Sequence, residues 1–153
     1  MLRNIFNSDF QDFIRALNQC QVAYILVGGY SVILHGHART TGDLDIWVKP
    51  TKDNYQLLTQ AFQLFGMPVF DMSADEFLHT DQNDVFIFGM PPVSIEVLTI
   101  VKGMDFDEAF VTAQWFEIGD GLQVRTLSIA DLLKAKKAAG RLKDLDDIEH
   151  LTP

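Results

Sequence analysis

Two glycines and two aspartates, Gly28, Gly29, Asp43 and Asp45, have the types and spacing to seat a phosphate beside a metal ion. The apolar stretch Val22 to Val27 reads as a buried strand and Tyr30 to Leu34 can begin a helix, which puts the glycine pair at a strand-to-helix turn. Glycine turns sharply with no Cβ to obstruct a phosphate, and backbone N–H groups at a helix start face an anion favourably. On a strand, Asp43 and Asp45 leave one face while Leu44 and Ile46 leave the other, so both acids reach one ion. Hard oxygen ligands of this kind suit Mg²⁺ bridged to substrate phosphates better than zinc. Arg39 and Thr41 share the parity and join the same side if the strand extends back that far. A plain exposed strand start is disfavoured, because two like charges converging on one face are costly without a cation.

With Val27 before the glycines and Leu44 between the acids, the pattern is apolar-Gly-Gly, a spacer, then Asp-x-Asp. It resembles the nucleotidyltransferase superfamily with the DNA polymerase β-like palm. Arg39-x-Thr41-x-Asp43-x-Asp45 and the later segment from Leu132 through Lys136, Arg141 and Asp144 to Asp147 look closest to the small bacterial branch containing abortive-infection toxins and other minimal nucleotidyltransferases. The resemblance spans residues 23 to 150. It implies a third acid on a neighbouring strand, a place that Glu96 in Val93-Ser-Ile-Glu-Val-Leu98 fits, although the family more often has Asp there. It further implies that Asp43, Asp45 and Glu96 are catalytic and hold Mg²⁺. Gly28, Gly29, Ser31, Arg39, Thr41 and Lys136 would then contact a nucleoside triphosphate, with Ser31 donating to phosphate and Lys136 and Arg39 offsetting the departing charge. The implied activity is transfer of a nucleoside monophosphate to an acceptor hydroxyl on tRNA, a protein or a small molecule. The rival expectation is a nucleotidyltransferase-like binding or regulatory protein of a toxin–antitoxin system, with a partner protein and little or no turnover.

Composition bounds these readings. A chain of 153 residues that is 48% hydrophobic fits one domain, expected over 1–153 with a core at 22–100 and a C-terminal helical segment at 128–151. The net charge of -9 would repel a polyanion at long range, so any RNA partner must meet a local patch. Lys134, Lys136, Lys137, Arg141 and Lys143 supply five of the twelve basic residues, on adjacent helical stripes that divide between a nucleotide-facing side and a solvated side. A single cysteine, Cys20, excludes an intrachain disulfide and a thiolate cluster and is read as a packing residue. The N-terminal segment lacks a signal-peptide core and no apolar run approaches a membrane span, so the expected location is the cytoplasm, away from membranes.

The elements that must position these residues follow from periodicity. Helices are expected over Asp9 to Asn18 with Ser8 or Asp9 as cap, over Asn54 to Phe65 ended by Gly66, over Asp105 to Phe110, from Ser128 to Ala139, and over Asp144 to Leu151. Strands are expected at Val85 to Phe88 and Val93 to Thr99 about the turn Gly89-Met-Pro-Pro92, and as a hairpin of Trp115 to Ile118 and Gln123 to Thr126. The fold class is therefore α/β (α+β): a central mixed sheet flanked by helices, nucleotidyltransferase-like. Met67 to Asp84 takes no assignment; its acids Asp71, Asp75, Glu76, Asp81 and Asp84 lack EF-hand spacing and read as a solvated loop. Gly28-Gly29 lacks a Rossmann third glycine, and there is no P-loop Gly-Lys-Ser/Thr. His35 and His37 read as capping, hydrogen-bonding or lining residues rather than ligands, and His79 and His150 as isolated.

Overall fold

A computed structural model describes residues 6–69, 72–81, 84–90 and 93–152. The elements run α1 (Ser8–Gln19), β1 (Tyr24–Val27), α2 (Gly28–Leu34), β2 (Asp43–Val48), α3 (Lys52–Phe65), α4 (Ala74–Leu78), β3 (Val85–Met90), β4 (Val93–Leu98), α5 (Phe106–Thr112), β5 (Gln114–Gly119), β6 (Leu122–Thr126), α6 (Ile129–Ala139) and α7 (Leu142–Leu151). The strands form one sheet in the order β3-β4-β2-β1-β6-β5. β2 pairs antiparallel with β1 and parallel with β4, β1 pairs parallel with β6, and antiparallel hairpins close the two edges. The expected mixed α/β sheet is what the chain forms.

Alternation along β2 divides the molecule. Leu44, Ile46 and Val48 enter the larger apolar core with Phe10, Phe13 and Leu17 of α1 and Leu58 and Phe62 of α3. Trp47 faces the opposite way, into a smaller core with Ile25, Val27, Phe106, Leu127 and Leu132. By the same alternation Asp43 and Asp45 leave toward this second side, where α5 and α6 cover only part of the sheet.

Local chemistry sets most boundaries. The side chain of Asn7, rather than Ser8 or Asp9, caps α1 by accepting from Phe10 N at 2.8 Å. Thr51 caps α3, which ends at Gly66 in a left-handed conformation (φ 89°). Ser128 caps α6, with Gly140 at φ 65° closing it. In the unassigned acidic stretch Ser73 and Glu76 make a reciprocal capping box that starts α4, so Asp75 and Glu76 are helical rather than part of a loop. Pro91 and Pro92 of the expected turn and Asp71 lie outside the described residues. Among the described residues, no helix is long and apolar enough to cross a membrane.

Phe62 is fully buried, with Phe13 and Phe88 at ring-centroid distances of 4.9 and 4.5 Å. Phe62→Ala leaves a cavity between α3 and the sheet and is expected to cost about 3–5 kcal/mol in urea unfolding with an unchanged denaturant slope.

Candidate active site

Asp45 stands directly opposite Glu96 in the parallel β2–β4 ladder, and Asp43 opposite Ser94. Residues paired across neighbouring strands project from the same sheet face, so the third acid lies beside the aspartate pair, as the resemblance implies. Asp43, Asp45 and Glu96 all line one cavity of about 570 Å³, together with Gly28, Gly29, Arg39, Thr41 and Lys136. Eight of the nine residues expected at the site are thus gathered in one place.

The ninth is not. Ser31 is fully buried, and its hydroxyl lies 2.6 Å from the Thr126 hydroxyl, on the β6 side of α2. One residue per 100° of helix turn carries the Ser31 side chain away from the cavity that Gly28 and Gly29 border, and this corrects the expectation that its hydroxyl meets phosphate. Arg39 and Thr41 also arrive by a different route. β2 begins at Asp43, so they reach the cavity from the connecting segment and not by strand parity.

Both glycines are demanded by their surroundings. β1 runs into α2 with no linker; Gly28 takes φ +72°, and a Cβ there would collide with the carboxylate of Asp45. A Cβ on Gly29 would collide with the Thr41 side chain and come within 3.3 Å of Arg39 Nη2. The first turn of α2 is therefore pressed against the acids and the cavity's far wall.

Burial, and then the neighbouring Glu96 and Asp43 carboxyls, push Asp45 up to about 8, against a smaller opposing pull from Lys143. Its Oδ1 atom is buried with no hydrogen-bond partner among the described residues. An acid held this way is short of positive charge.

Positive charge is concentrated at the opposite wall, where α6 and α7 fold back on each other across Gly140. Lys136 Nζ lies 3.0 Å from Asp144 Oδ1 and 3.0 Å from Asp147 Oδ2, and all three side chains are buried. Arg141 grips Asp144 through Nε at 2.6 Å while Asp144 accepts from Arg141 N at 3.2 Å, a capping box that starts α7. Burial opposes the charge on Asp144, but hydrogen bonds from Arg141 and Lys136 hold its carboxyl below the ordinary value. Arg39 Nε meets the other oxygen of Asp147 at 2.9 Å. The expected phosphate contact Lys136 is thus already engaged by two carboxylates. In the sequence Asp144 is one member of a basic stripe and Asp147 only the end of a motif; their i, i+3 spacing on α7 is the signal that both face α6.

The cavity wall carries five cations (Arg39, Lys102, Lys136, Arg141 and Lys143) against four carboxylates (Asp43, Asp45, Glu96 and Asp144), in a chain of net charge -9. Arg39, Lys136 and Arg141 are engaged by Asp144 and Asp147, so Lys102 and Lys143 are the further cations on this wall. Apolar side chains of Leu98, Val101, Leu127 and Leu132 line the same space. The arrangement offers carboxylate oxygens for a hard cation, cations for phosphate and an apolar wall for a ring. Elsewhere His35 closes α2 as its C-cap, with Nε2 2.6 Å from the Leu127 carbonyl and its ring packed on Phe116, a capping and hydrogen-bonding residue as its sequence context suggests.

Two outcomes follow. Asp45 keeps in the folded chain a proton that the unfolded chain releases above its ordinary value of 3.8, so its contribution to stability falls as pH rises from about 4 to about 8. Calorimetric melting in chelator should show that loss, and Asp45→Asn should flatten it. Lys136→Met leaves Asp144 to Arg141 alone and Asp147 to Arg39 alone, and is expected to cost about 1.5–3 kcal/mol in urea unfolding. No protein-family model and no curated protein matches this chain.

Proposed function

We propose that the cavity binds a nucleoside triphosphate and that the protein is a Mg²⁺-dependent nucleotidyltransferase. The observation that carries this reading is the convergence of Asp43, Asp45 and Glu96 on one sheet face, against the Gly28-Gly29 turn and opposite a wall of cations. It accords with the resemblance to the nucleotidyltransferase superfamily.

The donor set fits a hard divalent cation. Three carboxylates supply oxygen ligands only, and Asp45 Oδ1 is buried without a partner among the described residues. A bound Mg²⁺ would be held by Asp43, Asp45 and Glu96 and would supply charge neutralisation and polarisation at the phosphates. The glycine turn lets the backbone at the start of α2 approach Asp45 and Thr41 closely, beside the cavity that the acids line. Lys102 and Lys143, together with Arg39 at the cavity's edge, hold the negative charge of the triphosphate, while Lys136 keeps Asp144 and Asp147 fixed and so positions Arg39 through Asp147. The apolar wall takes the base. Glu96 accepts the proton of the acceptor hydroxyl; the hydroxyl oxygen bonds to the α-phosphorus, the bond from that phosphorus to the α,β-bridging oxygen breaks and pyrophosphate leaves in line.

The acceptor is a hydroxyl on tRNA, a protein or a small molecule, and the cytoplasm supplies all three together with the nucleotide. Incubation with α-labelled nucleotides, Mg²⁺ and each acceptor class tests the reading. Label should pass to one acceptor, Glu96→Gln should slow transfer by about 10²–10⁴-fold, and Asp43→Asn with Asp45→Asn should abolish the Mg²⁺-dependent part of nucleotide affinity in calorimetry. Tight nucleotide binding with no transfer to any acceptor would instead favour a regulatory member of a toxin–antitoxin pair, and nucleotide affinity indifferent to Mg²⁺ and to both aspartates would remove the reading.

A further inference from the structure

The sheet has two edges, and the chain treats them differently. β5, at one edge, carries the charged Glu117 and a register shift between Glu117 and Gly119. These are devices that keep an outer strand from pairing with another chain. β3, at the opposite edge, has neither: Val85 to Met90 include no charged residue and no proline, and no described strand lies beyond it. Thr99 N–H donates to the Asp84 carbonyl at 3.0 Å, which extends the β3–β4 register by one pair. Every second residue of an antiparallel strand bonds to its neighbour, so Phe86 and Phe88 bond to β4 while Val85 and Ile87 turn their N–H and C=O groups outward. Val85 and Ile87 are also 43% and 61% exposed.

We propose that β3 pairs antiparallel with β3 of a second copy of this chain, joining the two sheets across their bare edges. Gly89 leaves extended backbone at φ 79°, which confines the straight part of the edge to residues 85–88 and so sets the register. Centred on Phe86, the pairing brings Val85 opposite the partner's Ile87 and Ile87 opposite the partner's Val85, with N–H···O=C bonds exchanged at both rungs. Asp84 then faces the partner's Phe88 and not its own counterpart, so no like charges meet.

An identical strand is the occupant that this edge selects. From Val85 to Leu98 the sequence holds a single charged residue, Glu96, and that one lines the cavity. A basic or acidic segment of another protein would find no counter-charge on the edge, whereas a second β3 offers matching aliphatic rungs. The pairing is also closed. A twofold axis consumes both bare edges and leaves a guarded β5 at each end, so the assembly stops at two chains. Because that axis stands perpendicular to the sheet, both acid cavities open on the same face. Ile87 is the rung-mate of Glu96, and Glu96 of Asp45, so the two β2 strands lie five strand spacings apart, roughly 24 Å.

The dimer stands apart from the nucleotide reading, and its test needs no nucleotide. Sedimentation equilibrium of the full chain across the micromolar range should show monomer and dimer and no larger species. Each chain carries a net charge of -9, so added salt should tighten the dimer by screening the repulsion. Val85→Lys and Ile87→Lys, both at exposed positions, should raise the dimer dissociation constant at least about tenfold with unchanged circular dichroism, while Gln114→Lys on β5 leaves it unaltered. For the register, chains bearing Val85→Cys are mixed with chains bearing Ile87→Cys, both in a Cys20→Ser background, and oxidised. The mixture should cross-link much faster than either chain alone, because opposed residues lie about 5.5 Å apart at Cα and residues two positions out of step lie beyond disulfide reach. A chain that stays monomeric throughout, which would leave the edge to a foreign strand, would overturn the proposal. So would a dimer indifferent to both lysines, one lost in Gln114→Lys instead, or equal cross-linking in all three samples.

Discussion

Asp45 and Glu96 face each other on one rung of a parallel ladder whose reverse face is packed into the main core, and the molecule is arranged around the resulting electrostatic conflict. Moving either acid to the other face would require a one-residue register slip, which would drive Leu44 and Ile46 of β2, or Ile95 and Val97 of β4, out of that core. The acids are therefore fixed where they repel each other. Protonation of Asp45 relieves the conflict in the free protein, and a divalent cation would relieve it in a complex. The glycine turn tightens the constraint, because the backbone of α2 occupies the space through which Asp45 would otherwise swing aside.

The α6–α7 pair answers with a second set of charges that are buried but compensated. Asp147 is shared between Lys136 and Arg39, and Asp144 between Lys136 and Arg141. Such networks contribute little net stability relative to apolar packing, yet removal of one member is costly, so their effect is to define position. Here the positions defined are the start of α7 and the place of Arg39 at the cavity mouth. The two C-terminal helices are consequently part of the cavity wall and not an appendage to the sheet.

Much of this was legible in the sequence wherever local periodicity carried the information. Alternation along Asp43 to Val48 placed the acids on one face, and the apolar stripe of α3 with Thr51 before it and Gly66 after it marked that helix. What stayed hidden depended on contacts between distant segments. Nothing near Ser31 announces Thr126 as its partner, 95 residues away, and nothing near Arg39 announces Asp147, 108 residues away. The stacking of the His37 ring on that of His150 is of the same kind. α4 was missed for another reason: its five residues carry one buried aromatic, Phe77, too little for a helical period, and only its capping box marks it.

Trp47 follows Asp45 by two residues on the same strand and face, is almost wholly enclosed, and aims its indole N–H at the Thr99 carbonyl at 3.4 Å. The other tryptophan, Trp115, lies half-exposed beneath the Arg125 guanidinium at the far edge of the sheet. Two strand residues, about 7 Å, separate Trp47 from Asp45. The enclosed indole therefore shares its strand and sheet face with the acids, while the half-exposed Trp115 stands at the far edge, so the two aromatic reporters of this chain sit in opposite electrostatic settings.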